Sequence, residues 1–116
     1  MSPSNLTGEL EKDSFGLSVR DRDSIYSILK KYKDITKVIL FGSRAKGTFK
    51  KGSDIDLAIF TESVSEEMIL KLKEEFEESS LPYRVDIVHY PTITHQELKS
   101  HIDRVGVSFY KTTKLK

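Results

Sequence analysis

The chain has 116 residues, 19 of them basic and 18 acidic, so its formal charge is +1, and 37% of the residues are hydrophobic. This length allows one globular domain with a buried core and excludes a two-domain enzyme. The sequence has no apolar run long enough for a membrane span or a leader peptide and no cysteine, so we expect a cytoplasmic protein without disulfides or thiol catalysis. Its near-neutral charge argues against strong binding to duplex nucleic acid.

The first part of the chain changes from a polar segment to regular structure. Residues 1–17 mix Ser, Pro, Gly and charges without a period, which is typical of a flexible segment. A helical apolar spacing follows, and it predicts a helix that Ser18 or Asp21 caps and that ends near Lys33. The apolar positions of that helix are Ile25, Ile28, Leu29 and Tyr32. The β-branched run at residues 38–41, which a glycine stops, predicts a strand buried on both faces.

A strand, a helix and another strand follow the glycine-rich segment at residues 42–53. Residues 54–60 predict a strand, and Ser65 is placed to cap a helix whose first turn is acidic. The core face of that helix consists of Met68, Ile69, Leu72 and Phe76. Residues 84–88 predict the next strand. Because the two strands are joined by a helical crossover, we expect them to pair in parallel.

The last part of the chain carries another helix signal. Thr94 begins a Thr-x-x-Glu capping box, so we expect it to cap a final helix that Gly106 ends. Residues 107–110 predict an edge strand, and residues 111–116 predict a solvated basic tail. Together these elements predict a single α/β domain over residues 18–110.

Two carboxylates stand where the second predicted strand begins. Asp54 and Asp56 lie two residues apart, so in a strand they point to the same face. Like charges this close repel unless a cation neutralises them, and hard oxygen ligands suit magnesium or manganese. The alternative for such a pair alone is a strand end whose acids face water.

A third acid, Asp86, interrupts the otherwise aliphatic third strand. If the two strands are parallel neighbours, Asp86 lies about one strand spacing, roughly 5 Å, from Asp56. Three converging carboxylates can hold two metal ions roughly 4 Å apart, the arrangement that assists displacement at phosphorus. The alternative is an ion pair of Asp86 with Arg84 or Arg44.

Positive charge precedes these acids. Gly42 permits close backbone approach, and Ser43 offers a hydroxyl and an N–H at the start of a short predicted helix, which together suit a phosphate group. The spacing is not that of a P-loop. The cations of this segment are Arg44, Lys46, Lys50 and Lys51. They could instead balance the acidic helix or form a weak nucleic-acid-binding surface, which would be strongly salt-dependent.

These two motifs together resemble a known signature. Gly42-Ser43-Arg44-Ala45-Lys46-Gly47, followed by Ser53-Asp54-Ile55-Asp56-Leu57, is similar to the pattern of the DNA polymerase beta-like nucleotidyltransferase superfamily, in particular its minimal nucleotidyltransferase (MNT) branch. The resemblance spans roughly residues 18–110 and implies a palm-like fold with a small mixed sheet flanked by helices. It implies nucleotide-binding roles for Gly42, Ser43, Arg44, Lys46 and Ser53. It also implies catalytic and metal-binding roles, with two Mg²⁺ or Mn²⁺ ions, for Asp54, Asp56 and Asp86.

The resemblance also implies an activity and a partner. Enzymes of this kind transfer a nucleoside monophosphate, here expected to be AMP from ATP, to a hydroxyl of a partner protein or small acceptor. Larger relatives carry a helical domain that this chain lacks, which implies a separate helical chain of the HEPN or substrate-binding type. The implied role is the antitoxin of a HEPN/MNT pair. The alternative is a non-catalytic binding module that neutralises its helical partner by contact.

Overall fold

The computed structural model describes residues 11–112, which form one mixed sheet and the helices around it. The strands are β1 (Lys37–Phe41), β2 (Ile55–Ile59), β3 (Val85–His89) and β4 (Val107–Lys111). The α-helices are α1 (Val19–Leu29), α2 (Gly42–Lys46), α3 (Glu66–Glu78) and α4 (Gln96–Val105), with a 3₁₀ turn at Tyr90–Thr92. The predicted α/β class is confirmed. None of the described helices has the length and apolar content needed to cross a membrane.

The sheet has the strand order β3-β2-β1-β4. β1 pairs antiparallel with both β2 and β4, whereas β2 and β3 pair in parallel through the α3 crossover. The predicted parallel crossover and the predicted edge strand are therefore both confirmed. The parallel pair matters most for the site, because each of its two strands carries an acid.

The two faces of the sheet are covered unequally. One face packs against α1 and α3 in the main core, to which β1 and β2 contribute Leu40 and Leu57, both fully buried. The other face carries Ile39 and Ala58, which pack beneath Ile102 of α4. Successive strand residues alternate between these faces, so β1 is buried on both sides, as its apolar run predicts.

The first helix is capped as expected but is shorter. The Ser18 hydroxyl accepts a hydrogen bond from the Asp21 N–H at 3.0 Å, and the Asp21 carboxylate accepts from the Ser18 N–H at 3.0 Å. These residues act together as a capping box. The helix ends at Leu29 rather than near Lys33, because the chain tightens there into a turn in which the Tyr32 N–H donates to the Leu29 carbonyl.

The cap predicted for the last helix is wrong by one residue. His95, not Thr94, is the N-cap of α4, and its ring nitrogen Nδ1 accepts a hydrogen bond from the Leu98 N–H at 3.2 Å. A histidine nitrogen can thus serve as the acceptor that a capping hydroxyl normally provides. The predicted N-cap of α3 at Ser65 and the predicted end of α4 at Gly106 are both confirmed.

The polar segment before α1 is partly built into the domain. Residues 1–10 of the predicted flexible segment, and residues 113–116 of the predicted tail, lie outside the described residues. Leu17 is only 1% exposed, and the Asp13 carboxylate accepts hydrogen bonds from the Phe15 and Leu17 N–H groups at 2.8 and 3.0 Å. Burial of one leucine therefore anchors a turn that composition alone predicts to be flexible.

Candidate nucleotidyl-transfer site

The parallel strands bring two of the predicted acids side by side. Asp56 of β2 and Asp86 of β3 are direct register partners, as the sequence predicts from their positions in the two strands. Asp54 immediately precedes β2. Side chains two apart in a strand share a face, so these acids lie on the face that Ala58 presents to α4.

Asp56 is the most confined of these carboxylates. Burial raises the pKa of the half-buried Asp56 carboxyl to about 6, with further contributions from the negative charges of Asp86 and Asp54. The positive charge of Arg44 opposes this rise. An acid whose charge is disfavoured by its surroundings marks a place where an added cation would be stabilised.

The turn after β1 closes over Asp56. Gly42 has a φ of +76°, and a Cβ at this position would overlap Oδ2 of Asp56. The backbone of the turn therefore approaches the carboxylate as closely as only glycine allows. This contact places the start of α2 directly against the acidic face of β2.

Asp86 is more open than Asp56. Its Oδ1 lies 3.4 Å from Nε of Arg84, so the alternative predicted for this acid, an ion pair with Arg84, is also present. The Arg84 side chain is 77% exposed, so the pair is solvent-screened and weak. Both residues also border a surface cavity of about 420 Å³ at the β3 edge, whose other lining residues include Phe76 and Ile87 of the α3 face. Asp86 itself lies on the opposite face, beside Asp56, and its side chain is 42% exposed.

Helix α2 carries two polar residues, Ser43 and Lys46, near the contact between Gly42 and Asp56. Ser43 is half-buried in the first turn, and Phe41, the N-cap, makes no side-chain hydrogen bond to the first-turn N–H groups. Gly42 and Lys46 are four residues apart and share a helix face. The exposed Lys46 ammonium can therefore reach toward the same side as the Gly42–Asp56 contact.

Arg44 and Ser53, both predicted to bind nucleotide, are placed differently. Arg44 is 2% exposed, and its guanidinium donates to the carbonyl of Ser53 from Nε and Nη2 at 3.2 and 2.8 Å. The Ser53 hydroxyl accepts from the Lys50 N–H at 2.8 Å. Both residues are therefore engaged in the packing behind α2, and their predicted contact with a nucleotide stays a prediction. A residue two after Gly42 faces the opposite side of a helix, which agrees with this place of Arg44.

The acids fit a divalent cation by chemistry and strand position. Carboxylate oxygens are the ligands that Mg²⁺ and Mn²⁺ prefer, and Asp56 and Asp86 stand in register on one face. As the side chains stand, no three Asp, Glu, His or Cys residues within residues 11–112 are gathered around one point that could hold a metal ion. To share a cation, these carboxylates would have to lie closer together than they do here.

Comparison with known proteins defines the class of this chain. Residues 23–115 match the polymerase beta nucleotidyltransferase family. The chain belongs to this family, and its enzyme class is nucleotidyltransferase. The predicted family and fold are thus confirmed.

Individual relatives agree with this assignment. A Haemophilus influenzae (strain Rd) protein described as "Probable protein adenylyltransferase MntA" is 40% identical over 84 residues, which make up 72% of this chain and 73% of the relative. The crystal structure of a toxin–antitoxin with AMP-PNP is similar with a TM-score of 0.64 and 23% identity, over 79% of this chain and 74% of that one. A tri-AMPylated Shewanella oneidensis HEPN toxin in complex with its MNT antitoxin gives a TM-score of 0.58 and 20% identity, over 78% and 70%.

Proposed function

We propose that this chain transfers AMP from ATP to a hydroxyl of a partner protein. The observation that carries the proposal is the register pairing of Asp56 and Asp86 beside the glycine turn that begins α2. The 40%-identical relative described as a protein adenylyltransferase supports the reaction. The AMP-PNP and AMPylated-toxin complexes among the similar folds support the nucleotide and the type of acceptor.

The α2 turn is proposed to hold the triphosphate. The backbone at Gly42 allows the phosphates to approach β2 closely, while the Ser43 hydroxyl and N–H bind the β- and γ-phosphates. Lys46 adds a positive charge from the same helix face, although an ammonium lacks the paired donors of a guanidinium. Arg44 and Ser53 take no direct part in this scheme.

The three acids are proposed to hold divalent cations. Asp54, Asp56 and Asp86 would bind two Mg²⁺ ions, for which Mn²⁺ could substitute. The bound ions would neutralise the carboxylates and stabilise the negative charge on the phosphoryl oxygens. A bound cation would offset the burial and the negative charges of Asp86 and Asp54 that raise the pKa of Asp56.

Asp86 is proposed to receive the acceptor. The acceptor hydroxyl approaches on the face that Asp86 shares with Asp56 and attacks the α-phosphorus of ATP. A bond forms between the hydroxyl oxygen and the α-phosphorus, and the bond from the α-phosphorus to the bridging oxygen breaks, releasing pyrophosphate. The carboxylate of Asp86 accepts the hydroxyl proton. The products are an AMP ester of the acceptor and pyrophosphate.

The partner is proposed to be a helical HEPN-type chain. The structural relatives include complexes of an MNT antitoxin with a HEPN toxin, which supports a hetero-oligomer and an antitoxin role for this chain. We place the pair in the cytoplasm, where ATP and Mg²⁺ are available. Residues 18–110 are proposed as the transferase domain, with residues 13–17 packed against it.

One experiment tests this function directly. The purified chain is incubated with labelled ATP, Mg²⁺ and the product of the neighbouring gene, and the mass of the partner is followed. We expect one or more AMP additions with the wild type and with Asp23→Asn, which changes an exposed acid outside the site. Asp56→Asn should give none. Neutralisation of the partner without AMP addition, unaffected by Asp56→Asn, would instead indicate a contact inhibitor.

A further inference from the structure

Arg44 is a buried cation that hydrogen-bonds to backbone carbonyls. It is 2% exposed, and within residues 11–112 no carboxylate oxygen lies within salt-bridge distance of it. A buried charge in this state persists only if its donors are satisfied. The partners are backbone carbonyls: Nη1 donates to Phe15 and Gly16 at 2.8 and 3.3 Å, and Nε and Nη2 both donate to Ser53.

Aromatic rings complete the surroundings of this guanidinium. Its central carbon lies 4.5 Å from the ring centroid of Tyr83 and 5.1 Å from that of Phe49. Cation–π contacts of this kind hold an arginine in place without a counter-ion. With four hydrogen bonds and two rings, Arg44 is engaged on the side of α2 opposite to Gly42.

The bonded carbonyls belong to segments that frame the site. Ser53 directly precedes Asp54 and lies three residues before Asp56, while α2 carries Ser43. Phe15 and Gly16 belong to the packed turn before α1. A single side chain therefore joins the start of the acidic strand to the phosphate-binding helix and to the N-terminal turn.

We propose that Arg44 is a positioning residue, which holds the Ser53–Asp54 segment at a set distance from the Ser43 turn. Its hydrogen bonds to the carbonyls of Phe15 and Gly16 keep the guanidinium itself in place. Its kinetic consequence rests on the proposed transfer function. A shift of the acids by a fraction of an ångström is enough to slow a reaction that depends on alignment. Arg44 itself touches neither nucleotide nor acceptor.

Gly16 offers an independent way to disturb the same cluster. It has a φ of +77°, and a Cβ there would lie 2.5 Å from a ring carbon of Phe49 and 2.7 Å from Nη1 of Arg44. Gly16→Ala therefore presses on the cluster without changing any charge. Gly52→Ala is the matched control, because Gly52 has a similar φ of +83° and nothing within 4 Å of its added Cβ.

The kinetic test compares Arg44→Met, Arg44→Lys, Gly16→Ala and Gly52→Ala at a temperature where each is folded. We expect kcat for AMP transfer to fall about 10- to 100-fold in the first three, while the Kd for ATP at saturating Mg²⁺ changes less than about threefold. Arg44→Lys should restore little of the kcat that Arg44→Met loses, since one ammonium cannot reach both the Ser53 carbonyl and the carbonyls of Phe15 and Gly16. Gly52→Ala should keep the wild-type kcat.

Two outcomes would overturn this inference. If Arg44→Met weakens ATP binding more than about tenfold and Arg44→Lys restores it, Arg44 contacts phosphate directly. If the variants lose thermal stability but retain kcat, the cluster is merely structural.

A readout without activity separates this inference from the proposed function. The Ile55 N–H donates to the Arg84 carbonyl at 2.8 Å and reports on the start of β2. We expect its amide hydrogen exchange to accelerate about tenfold or more in Arg44→Met and Gly16→Ala but not in Gly52→Ala. If wild type transfers no AMP while this exchange pattern holds, the proposed reaction fails and the positioning role stands. Unchanged exchange in Arg44→Met would overturn the positioning role itself.

Discussion

Two charged regions lie on opposite sides of the chain where β2 begins, and they are built in opposite ways. In the front region, Asp54, Asp56 and Asp86 share one face, and their mutual repulsion helps to raise the pKa of Asp56 to about 6. In the back region, Arg44 carries a single charge that four hydrogen bonds and two aromatic rings satisfy.

The difference teaches where to look for a ligand. A buried charge whose surroundings satisfy it contributes to the fold, and it resists replacement because its partners would be left unpaired. A charge that its surroundings disfavour costs stability and is retained for binding or chemistry. On this ground we assign the back region to the architecture and the front region to the proposed reaction, although residues 53 and 54 are adjacent in the chain.

The largest expected effect is the loss of activity in Asp56→Asn. Removing the carboxylate that faces both Gly42 and Asp86 should lower kcat/KM for AMP transfer about a thousandfold or more, because the proposed cation site loses its central ligand. Steady-state transfer assays with Asp23→Asn as control measure this. A loss below about tenfold would place the chemistry elsewhere.

The next effect concerns the stability of the back region. Arg44→Met keeps much of the side-chain volume but leaves the carbonyls of Phe15, Gly16 and Ser53 without their donor, so we expect the free energy of unfolding to fall by about 3 kcal/mol. Urea denaturation measures the change. A variant as stable as wild type would show that these hydrogen bonds contribute nothing net.

Asp56→Asn should instead raise the free energy of unfolding, by an amount that depends on pH. The pKa of Asp56 is about 6 in the fold against an ordinary 3.8, so the native state binds more protons between those values and wild-type stability falls as pH rises through that window. A shift of this size corresponds to about 3 kcal/mol, which solvent screening of a half-buried group reduces to about 1 kcal/mol.

Urea midpoints measured without divalent metal test that sign. Wild type and Asp56→Asn should have similar stability near pH 4, and the variant should be the more stable by about 1 kcal/mol at pH 7. Added Mg²⁺ should narrow the gap by stabilising wild type alone. A wild type that gains stability relative to the variant as pH rises would contradict the front-region assignment.

The smallest expected effect is that of Arg84→Ala. Its ion pair with Asp86 is exposed, so the free energy of unfolding should change by less than about 0.5 kcal/mol. Denaturation at low and high salt measures it. A larger loss of stability would mean that Arg84 compensates the charge of Asp86 as the surroundings of Arg44 compensate its charge. Asp86 would then stabilise the fold rather than serve the reaction.

The pairing of the acids was predictable because strand positions follow simple rules. Asp56 and Asp86 each stand third in a predicted strand, and a helical crossover favours parallel neighbours, so their alignment follows without long-range information. Caps at Ser18 and Ser65 were predictable for the same reason, since the donor and acceptor lie three residues apart.

The surroundings of Arg44 were not predictable in this way. Its partners lie 9 residues away at Ser53 and 28 to 29 residues away in the turn before α1, and no local pattern links them. The composition of residues 13–17 indicates flexibility, whereas burial of Leu17 fixes the turn. The cap at His95 differs for a related reason, because a histidine can cap a helix but is not part of the usual capping pattern.

The crossover between β2 and β3 constrains how such a domain can change in length. A slip of β3 by one residue against β2 would turn Asp86 to the opposite face, toward the α1 and α3 core, and would bring an aliphatic neighbour into its place. Insertions in the connections on either side of α3 leave that register untouched. The connections on either side of α3 can therefore vary in length without disturbing the site. A single-residue insertion or deletion within β2 or β3 would disturb it.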